Sequence, residues 1–424
     1  MKSRAEKRGQ KQEQAPTALG RLRQLLMPMV AGMAAAKQDL MAWVQEVGLE
    51  ALKEVFEGDA TAIAGPKGKH TQERVNHRWG TTDTELPFGG RRIGLKRPRV
   101  RSKSGQEVSL PSLTRFQAED PLPERVLNQI VLGVSTRGYG SSLEPEPAGV
   151  KSRGTSKSAA SRHLVERMGA KLRDYLARPL GDVRLLALML DGIEVARHTV
   201  VVALGISEDG TKTTLGLWQG STENAALCTS LLQDLIKRGL KLDGKVLCII
   251  DGGKGIRKAI DDVLGDLAVV QRCQLHKRRN LKAHLPESCQ SYVDRALREA
   301  YRSASADTAR KLLRNLISWL ESNGHEDAAA SLREGMEETL TVLKLGLSER
   351  LRRSLSTTNS IESTLGTVRR VSRNVKRWRA GMVRRWVAMG LLTAQKRFRR
   401  IKGHRDLPQL IAALRPKGSA EQVA

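Results

Sequence analysis

Between Arg184 and Cys273 the hydrophobic and polar positions fall into blocks that predict three strands, a helix, a strand, a helix and a last short strand. The apolar run RLLALML ends at Asp191, a second apolar segment spans Val195 to Ile206, and a third runs from Thr211 to Trp218. The link Ser207-Glu208-Asp209-Gly210 carries Asp-Gly, which turns a hairpin because both residues tolerate left-handed backbone. From Glu223 to Arg238 the apolar residues Leu227, Leu231, Leu232 and Leu235 recur at helical spacing, with Gly239 as the stop. KVLCIID then reads as a fourth strand ending at Asp251, followed by a helix from Lys254 to Val263 and the strand LAVVQRC. The order β-β-β-α-β-α-β thus puts one aspartate at the end of strand one and another at the end of strand four.

The same pattern organises the rest of the chain. Residues 1–17 are charged and polar, a disordered basic tail. Two helices are expected from Leu19 to about Phe56, the second with Leu40, Trp43, Val44, Val47 and Ala51 on one face. LPFGGRRIGLKRPRVRSKSG reads as short, strongly basic strands, either a ribbon for phosphates or a solvated edge, and closes an N-terminal region over 18–120. Residues 121–180 suggest a helix-turn-helix-like region, with one helix over Glu124–Val134 and another after a cap at Ser156. Lys157, Ser158, Ser161 and Arg162 open that second helix, and small polar and basic residues there suit an approach to base edges. The link SSLEPEPAGVKSRG is longer than a tight turn, so a plain helical linker stays open. Residues 181–274 hold the strand-rich block, and 275–355 are helical throughout, with Gly324 as a C-terminal stop. A helical segment over 356–402 and a tail over 403–424 complete the chain.

Charge narrows the function. The 424 residues carry 73 Lys and Arg against 45 Asp and Glu, a net charge of +28 spread along the chain, so a polyanion such as nucleic acid is the expected partner. The longest apolar stretch, LLMPMVAGMAAA, is too short to span a bilayer, and the opening MKSRAEKRGQKQEQ lacks the apolar core of a signal peptide. Four cysteines without a disulfide framework indicate a reducing compartment; the expectation is a cytoplasmic, nucleoid-associated protein.

The chemistry rests on acids. If strands one and four are neighbours, Asp191 and Asp251 meet, and two carboxylates in contact repel unless a cation lies between them. Hard divalent cations suit that place, and a pair of them is a device for phosphodiester chemistry. Each aspartate read alone merely ends a strand. A third acid, Glu362, follows Asn359 by three residues: it either bonds back to that cap or reaches the two aspartates from a helix packed on the sheet. Beyond it, Val368 to Lys402 holds thirteen Lys or Arg and no acid. Val371, Val375, Trp378 and Met382 are expected to turn inward, leaving Arg369, Arg370, Arg373, Lys376 and Arg377 for phosphates.

LMLDGIEV, LGLWQGSTEN, VLCIIDGGKGIRKAI, VVQRCQLHKRRN and TTNSIES together resemble the Mutator-type transposases of bacterial insertion sequences, over about Leu122 to Lys402. The resemblance implies an α/β ribonuclease H-like catalytic core with an all-helical insertion, preceded by a mostly helical DNA-binding region. It implies that Asp191, Asp251 and Glu362 form a DDE triad holding divalent metal, Mg²⁺ or Mn²⁺, as two ions. Such an enzyme cleaves at terminal inverted repeats and transfers the freed 3′-hydroxyl to target DNA, and joining two ends implies at least a dimer on DNA. The family's Cys-x-x-His pair is here Cys273 and His276, with His276 expected to support catalysis. A zinc site completed by His284 and Cys289 fits no standard spacing. Trp218 and Glu223 recur in the family, and Trp319 is either helix core or a stacking platform for a flipped base. Two other readings remain: a DNA-binding protein that has lost catalysis, and a structure-specific nuclease of the same fold. Gly252-Gly253-Lys254-Gly255 fails the phosphate-loop spacing.

Overall fold

A computed structural model describes residues 40–69, 74–118, 120–146, 149–220, 224–379 and 381–415. The expected tail over 1–17, the helix from Leu19, the apolar stretch before Lys37, Glu223 and the chain beyond Arg415 lie outside the described residues. Two units emerge, one of residues up to Val126 with Thr136–Ser161, the other of Leu127–Ser135 with Arg162 onward.

In the first unit, helix α1 (Leu40–Ala64) packs on a hairpin of β1 (Asn76–Phe88) and β2 (Arg91–Ser102). The expected face of α1 is not the buried one: Val44 is 46% exposed, while Leu49, Phe56, Ala60 and Ala64 are buried with Ile93, Leu95 and Val100. The reason is length, since α1 continues two turns past Phe56 and seats the stripe that runs along all of it. The strands are 13 and 12 residues long, not short. They meet at Gly89 and Gly90, whose φ angles of 58° and 89° make the double left-handed turn that favours glycine. Strand β3 (Glu107–Val108), helix α2 (Pro111–Ala118) and strand β4 (Ser152–Arg153) extend this unit, β3 and β4 each pairing with β2. The two helices expected around 121–180 are α3 (Leu122–Leu132) and α4 (Lys157–Ala177), and the chain passes between units within them. Ser156 caps α4, its Oγ accepting from Ala159 N at 3.2 Å.

The second unit holds a five-stranded sheet built from β5 (Leu185–Val195), β6 (His198–Ser207), β7 (Lys212–Gly220), β8 (Val246–Ile250) and β9 (Ala268–Arg272), in the order β7-β6-β5-β8-β9. The first three run antiparallel, and β8 and β9 join in parallel. Helices α5 (Ala225–Lys237) and α6 (Lys254–Leu264) bury Leu231, Leu235, Ile256 and Ile260 against Leu188, Leu190, Cys248 and Ile250. Gly239 follows the end of α5, as the sequence predicts, and Asn224 caps its start. One expectation is corrected: β5 does not stop at Asp191 but continues to Val195, and β6 starts at His198. The turn uses Ala196 and Arg197 at φ 51° and 62°, and such residues give no turn signal in a sequence.

The helical block is α7 (Gln274–Ala283), α8 (Glu287–Arg302), α9 (Ala306–Ser322), α10 (Glu326–Arg333), α11 (Met336–Thr339), α12 (Thr341–Lys344) and α13 (Glu349–Leu355), with a core of its own around Leu297, Leu313 and Leu332. It is tied to the sheet edge, where the Gln271 amide donates to Thr339 O at 3.0 Å and Gln271 Oε1 accepts from Val342 N at 2.9 Å. Helices α14 (Asn359–Ser372), α15 (Met382–Gln395) and α16 (Leu407–Leu414) finish the unit. α14 packs on β5 and α15 on β7. The two helices approach closely at Gly390, where a Cβ would lie 2.6 Å from Val368 Cα. The inward stripe is therefore not on one helix: Val371 is buried on α14, whereas Val375 and Trp378 sit half-buried in the loop that follows.

Candidate active site

Parallel pairing of β5 and β8 sets Met189 opposite Ile249, an offset of sixty residues. Continuing that offset by two residues brings Asp191 level with Asp251, just past the end of β8. Side chains alternate along a strand, so Asp191 shares a face with Ala187 and Met189, opposite to Leu188 and Leu190, which meet α5 and α6. That leaves Asp191 on the face where α14 packs on β5. Each aspartate folds one oxygen onto the following backbone: Gly192 N donates to Asp191 Oδ1 at 2.8 Å, and Gly253 N to Asp251 Oδ1 at 2.9 Å. Gly252, at φ 101°, must be glycine, because a Cβ there would meet the Arg272 guanidinium at 2.2 Å.

Glu362 lies in the first turn of α14, where a carboxylate complements the helix dipole. The capping expectation is corrected in detail. The cap residue is Thr358, not Asn359, and it makes no side-chain bond to the backbone. Its hydroxyl instead donates to Glu362 Oε1 at 2.8 Å. The other carboxylate oxygen lies 3.6 Å from Arg279 Nη1, and His276 Nε2 is 3.9 Å from Oε1. Thr358 is fully buried; its N–H donates to Cys273 Sγ at 3.4 Å, and its Oγ1 lies 3.3 Å from His276 Nδ1. Cys273 caps α7, its sulfur also accepting from His276 N at 3.5 Å.

The electrostatics record this crowding. Burial pushes the Asp191 carboxyl up to about 7, Asp251 adds to the rise, and Glu362 adds a smaller push, against relief from Gly192 N–H and His276. His276 is raised, first by its hydrogen bond with Cys273 against the opposing effect of burial, then by the charges of Cys273, Glu362 and Asp251. Burial pushes the Cys273 thiol up, but hydrogen bonds with His276 and Thr358 outweigh it and leave the thiol below its usual value. Among the described residues, Cys273, His276 and Glu362 form a group whose donor atoms all lie within 4.8 Å of one another. His284 and Cys289 do not join it: His284 ends α7, and Cys289 Sγ is 3.6 Å from His325 Nε2.

Sequence reasoning named Asp191, Asp251, Glu362 and His276, and it missed Thr358 and Arg279. Arg279 was available as the residue one turn after His276 on a predicted helix. Thr358 was not, because a hydroxyl beside the candidate cap Asn359 gives no sign of which way it turns. Lys157, Ser158 and Arg162 are exposed on α4, with Ser161 half-buried. Arg369, Arg370, Arg373, Lys376 and Arg377 are exposed at the end of α14 and in the loop after it, and none forms an ion pair among the described residues. Trp218 packs half-buried against the sheet core, and the Trp319 ring lies 4.5 Å from that of Tyr292 at a tilt of 43° while packing on the helical core.

The three acids thus lie at the edge of a mixed α/β unit, and a strongly cationic segment follows the third of them in the chain. The family model for the Mutator family of transposases matches residues 23–383, and the chain belongs to that family. The transposase for insertion sequence element ISRM5 of Rhizobium meliloti is 29% identical over 335 residues, 77% of this chain and 81% of that protein. The transposase for insertion sequence element IS256 in transposon Tn4001 of Staphylococcus aureus is 27% identical over 318 residues, 73% of this chain and 78% of its own. No helix among the described residues is long and apolar enough to cross a membrane.

Proposed function

We propose that this chain is a DDE transposase, whose second unit is a ribonuclease H-like core bearing Asp191, Asp251 and Glu362 as ligands of two divalent ions, Mg²⁺ or Mn²⁺. The observation that carries the reading is the convergence itself: carboxylates from β5, from the end of β8 and from the first turn of α14 meet where burial, and after it the charges of Asp251 and Glu362, push Asp191 up to about 7. Such repulsion is what a divalent cation relieves, and the oxygen donors match hard ions. Cys273 and His276 are softer donors, and Thr358, with its hydroxyl to Glu362, ties them to the third acid.

When bound, the metal supplies charge neutralisation and activation of water at the phosphodiester. The chain's own residues do the rest. Thr358 and Arg279 fix the Glu362 carboxylate. His276, raised towards its charged form, holds a proton beside Glu362 and the aspartates. Arg369, Arg370, Arg373, Lys376 and Arg377 hold phosphates, and Lys157, Ser158, Ser161 and Arg162 on α4 meet the terminal inverted repeats within a DNA-binding region over 121–180. Residues 275–355 are the helical insertion between the second and third acids. Transfer of the 3′-hydroxyl to target DNA joins two ends, which calls for at least a dimer in the nucleoid.

The test is nicking and joining of an inverted-repeat duplex in Mg²⁺ or Mn²⁺ by wild type and by Asp191→Asn, Asp251→Asn and Glu362→Gln. Each variant is expected to lose on the order of a hundredfold or more, because a metal ligand contributes several kcal/mol to the transition state. Normal cutting by Glu362→Gln would remove the third acid from the triad. A wild type that binds these ends and never cuts them would leave a catalytically silent DNA-binding protein.

A further inference from the structure

Helix α14 has three faces. At about 100° per residue, Ile361, Leu365 and Val368 point one way and are buried, and Glu362 stands about a quarter of a turn from them. Ser360, Ser363, Thr367 and Arg370 make the third face, and it forms one wall of an open groove of about 1130 Å³. The facing wall is the segment after α15, with Arg397, Arg399, Arg400 and Lys402. Lys212, whose ammonium lies 5.1 Å from the Phe398 ring, and Arg350 and Arg353 complete the set, so eight cations line the groove and no acid does. Arg353 and Arg400 reach acids outside it, Glu349 at 2.6 Å and Asp209 at 3.4 Å. The other six have no acidic partner among the described residues.

Cations gathered this closely repel one another, and the arrangement is favourable only with an anion between them. The groove exceeds the usual range for a small-molecule site, roughly 300–1,000 Å³, and it is open, so it fits a length of polymer. Serine and threonine hydroxyls opposite arginines are the donors that meet phosphate and sugar rather than base edges. The strand to be cut must pass through the acids, yet a polymer in this groove lies along a different face of α14 from Glu362.

We infer that this groove holds a second DNA duplex by its sugar-phosphate backbone, independent of sequence: the DNA that receives the transferred end. The inference rests on the transposase reading for its role and on the groove alone for the binding. It adds Lys212, Arg350, Arg397, Arg399 and Lys402 to the DNA-facing residues.

The experiment titrates salt against binding of the full chain to random-sequence duplexes and to an inverted-repeat duplex. The variant is Arg397→Gln with Arg399→Gln and Lys402→Gln; a control removes the same charge from the exposed residues Arg295, Lys311 and Arg314 of the helical block. The groove variant is expected to lower the slope of log affinity against log salt by about three, roughly equally for every sequence, and the control by much less. Ser363→Glu, an exposed helix position, should weaken binding in the same direction if the triple variant folds poorly. Joined product per nick should fall with the groove variant. Equal slopes for groove and control variants, or a loss confined to the inverted-repeat duplex, would overturn the inference. If the wild type never nicks, the transposase reading fails while the binding comparison still decides the groove.

Discussion

The hairpin of the first unit and the active-site region of the second are both rich in charge, and they arrange it in opposite ways. Along β1, β2 and their neighbours the signs are interleaved. Arg78 meets Glu57 at 2.5 Å, Arg97 and Arg99 share Glu107 at 3.0 and 2.8 Å, Arg91 approaches Glu146 at 3.6 Å, Arg153 approaches Glu85 at 3.4 Å, and Arg92 pairs with Asp120. In the second unit the signs are sorted. Three acids press on one another at the sheet, and thirteen cations follow over 368–402 with no acid among them. Interleaved charge satisfies itself, and its work is to hold a fold. Sorted charge costs stability in the free protein and is relieved by a ligand of the opposite sign. The basic ribbon, which the sequence left open between a surface for phosphates and a solvated edge, is thus largely engaged already, while Arg373, Lys376 and Arg377 after α14 have no acidic partner among the described residues.

The largest effect that can break this contrast is on DNA affinity. Arg373→Gln with Lys376→Gln and Arg377→Gln should weaken duplex binding roughly a hundredfold near physiological salt, with the slope against salt reduced by about three and the unfolding midpoint unchanged. If the same variant unfolds the protein and leaves affinity intact, the sorted charge is structural after all. Arg91 tests the other side. It is 5% exposed and donates to Glu144 O, so Arg91→Met should cost about 2 kcal/mol in denaturant unfolding and barely touch DNA binding. Within the sorted region, Thr358→Val should lower the nicking rate roughly tenfold by releasing Glu362, as loss of a group that orients a ligand does, with Thr358→Ser restoring it. A purely packing role would spare Thr358→Val, which keeps the shape.

How much of this was legible follows from what a sequence can carry. The strands β5 to β9 were visible because apolar runs and an Asp-Gly turn are local, and so were the stops at Gly239 and Gly324. Asp191 and Asp251 could be paired only on the condition that strands one and four are neighbours, and the parallel ladder of β5 and β8 supplies that neighbourhood. The end of β5 was not visible: Ala196 and Arg197 adopt left-handed backbone only because the ladder with β6 holds them there. The face of α1 was misread because Val44 and Phe56 are equally apolar in sequence, and the hairpin decides which is covered. The pairing of the ribbon was hidden for the same reason. Glu57 and Asp120 are 21 and 28 residues from their arginines along the chain, so composition alone counts the positive charge and misses its partners.

The smallest effect is the sharpest, because the two arrangements predict opposite signs. Glu107 is drawn below its ordinary value of 4.5 by hydrogen bonds from Arg99 and then Arg97, with burial opposing them. A carboxylate lowered on folding contributes stability that is present above its unfolded value and is lost as pH falls through 4.5 and below. Its side chain is 38% exposed, so screening holds the contribution under about 1 kcal/mol. Asp191 is raised from 3.8 to about 7, mainly by burial. The folded protein then binds the extra proton, so its contribution is present below pH 3.8 and is lost as pH rises through 7. In chelator, the unfolding free energy of Glu107→Gln should differ from wild type more at pH 6 than at pH 3. That of Asp191→Asn should gain on wild type as pH climbs from 4 to 8, and divalent metal should erase the gain by stabilising the wild type. Two variants that drift the same way with pH would mean that burial with like charge at Asp191, and opposite charge at Glu107, do not set these carboxyls, and the contrast between the interleaved and the sorted regions would fall with them.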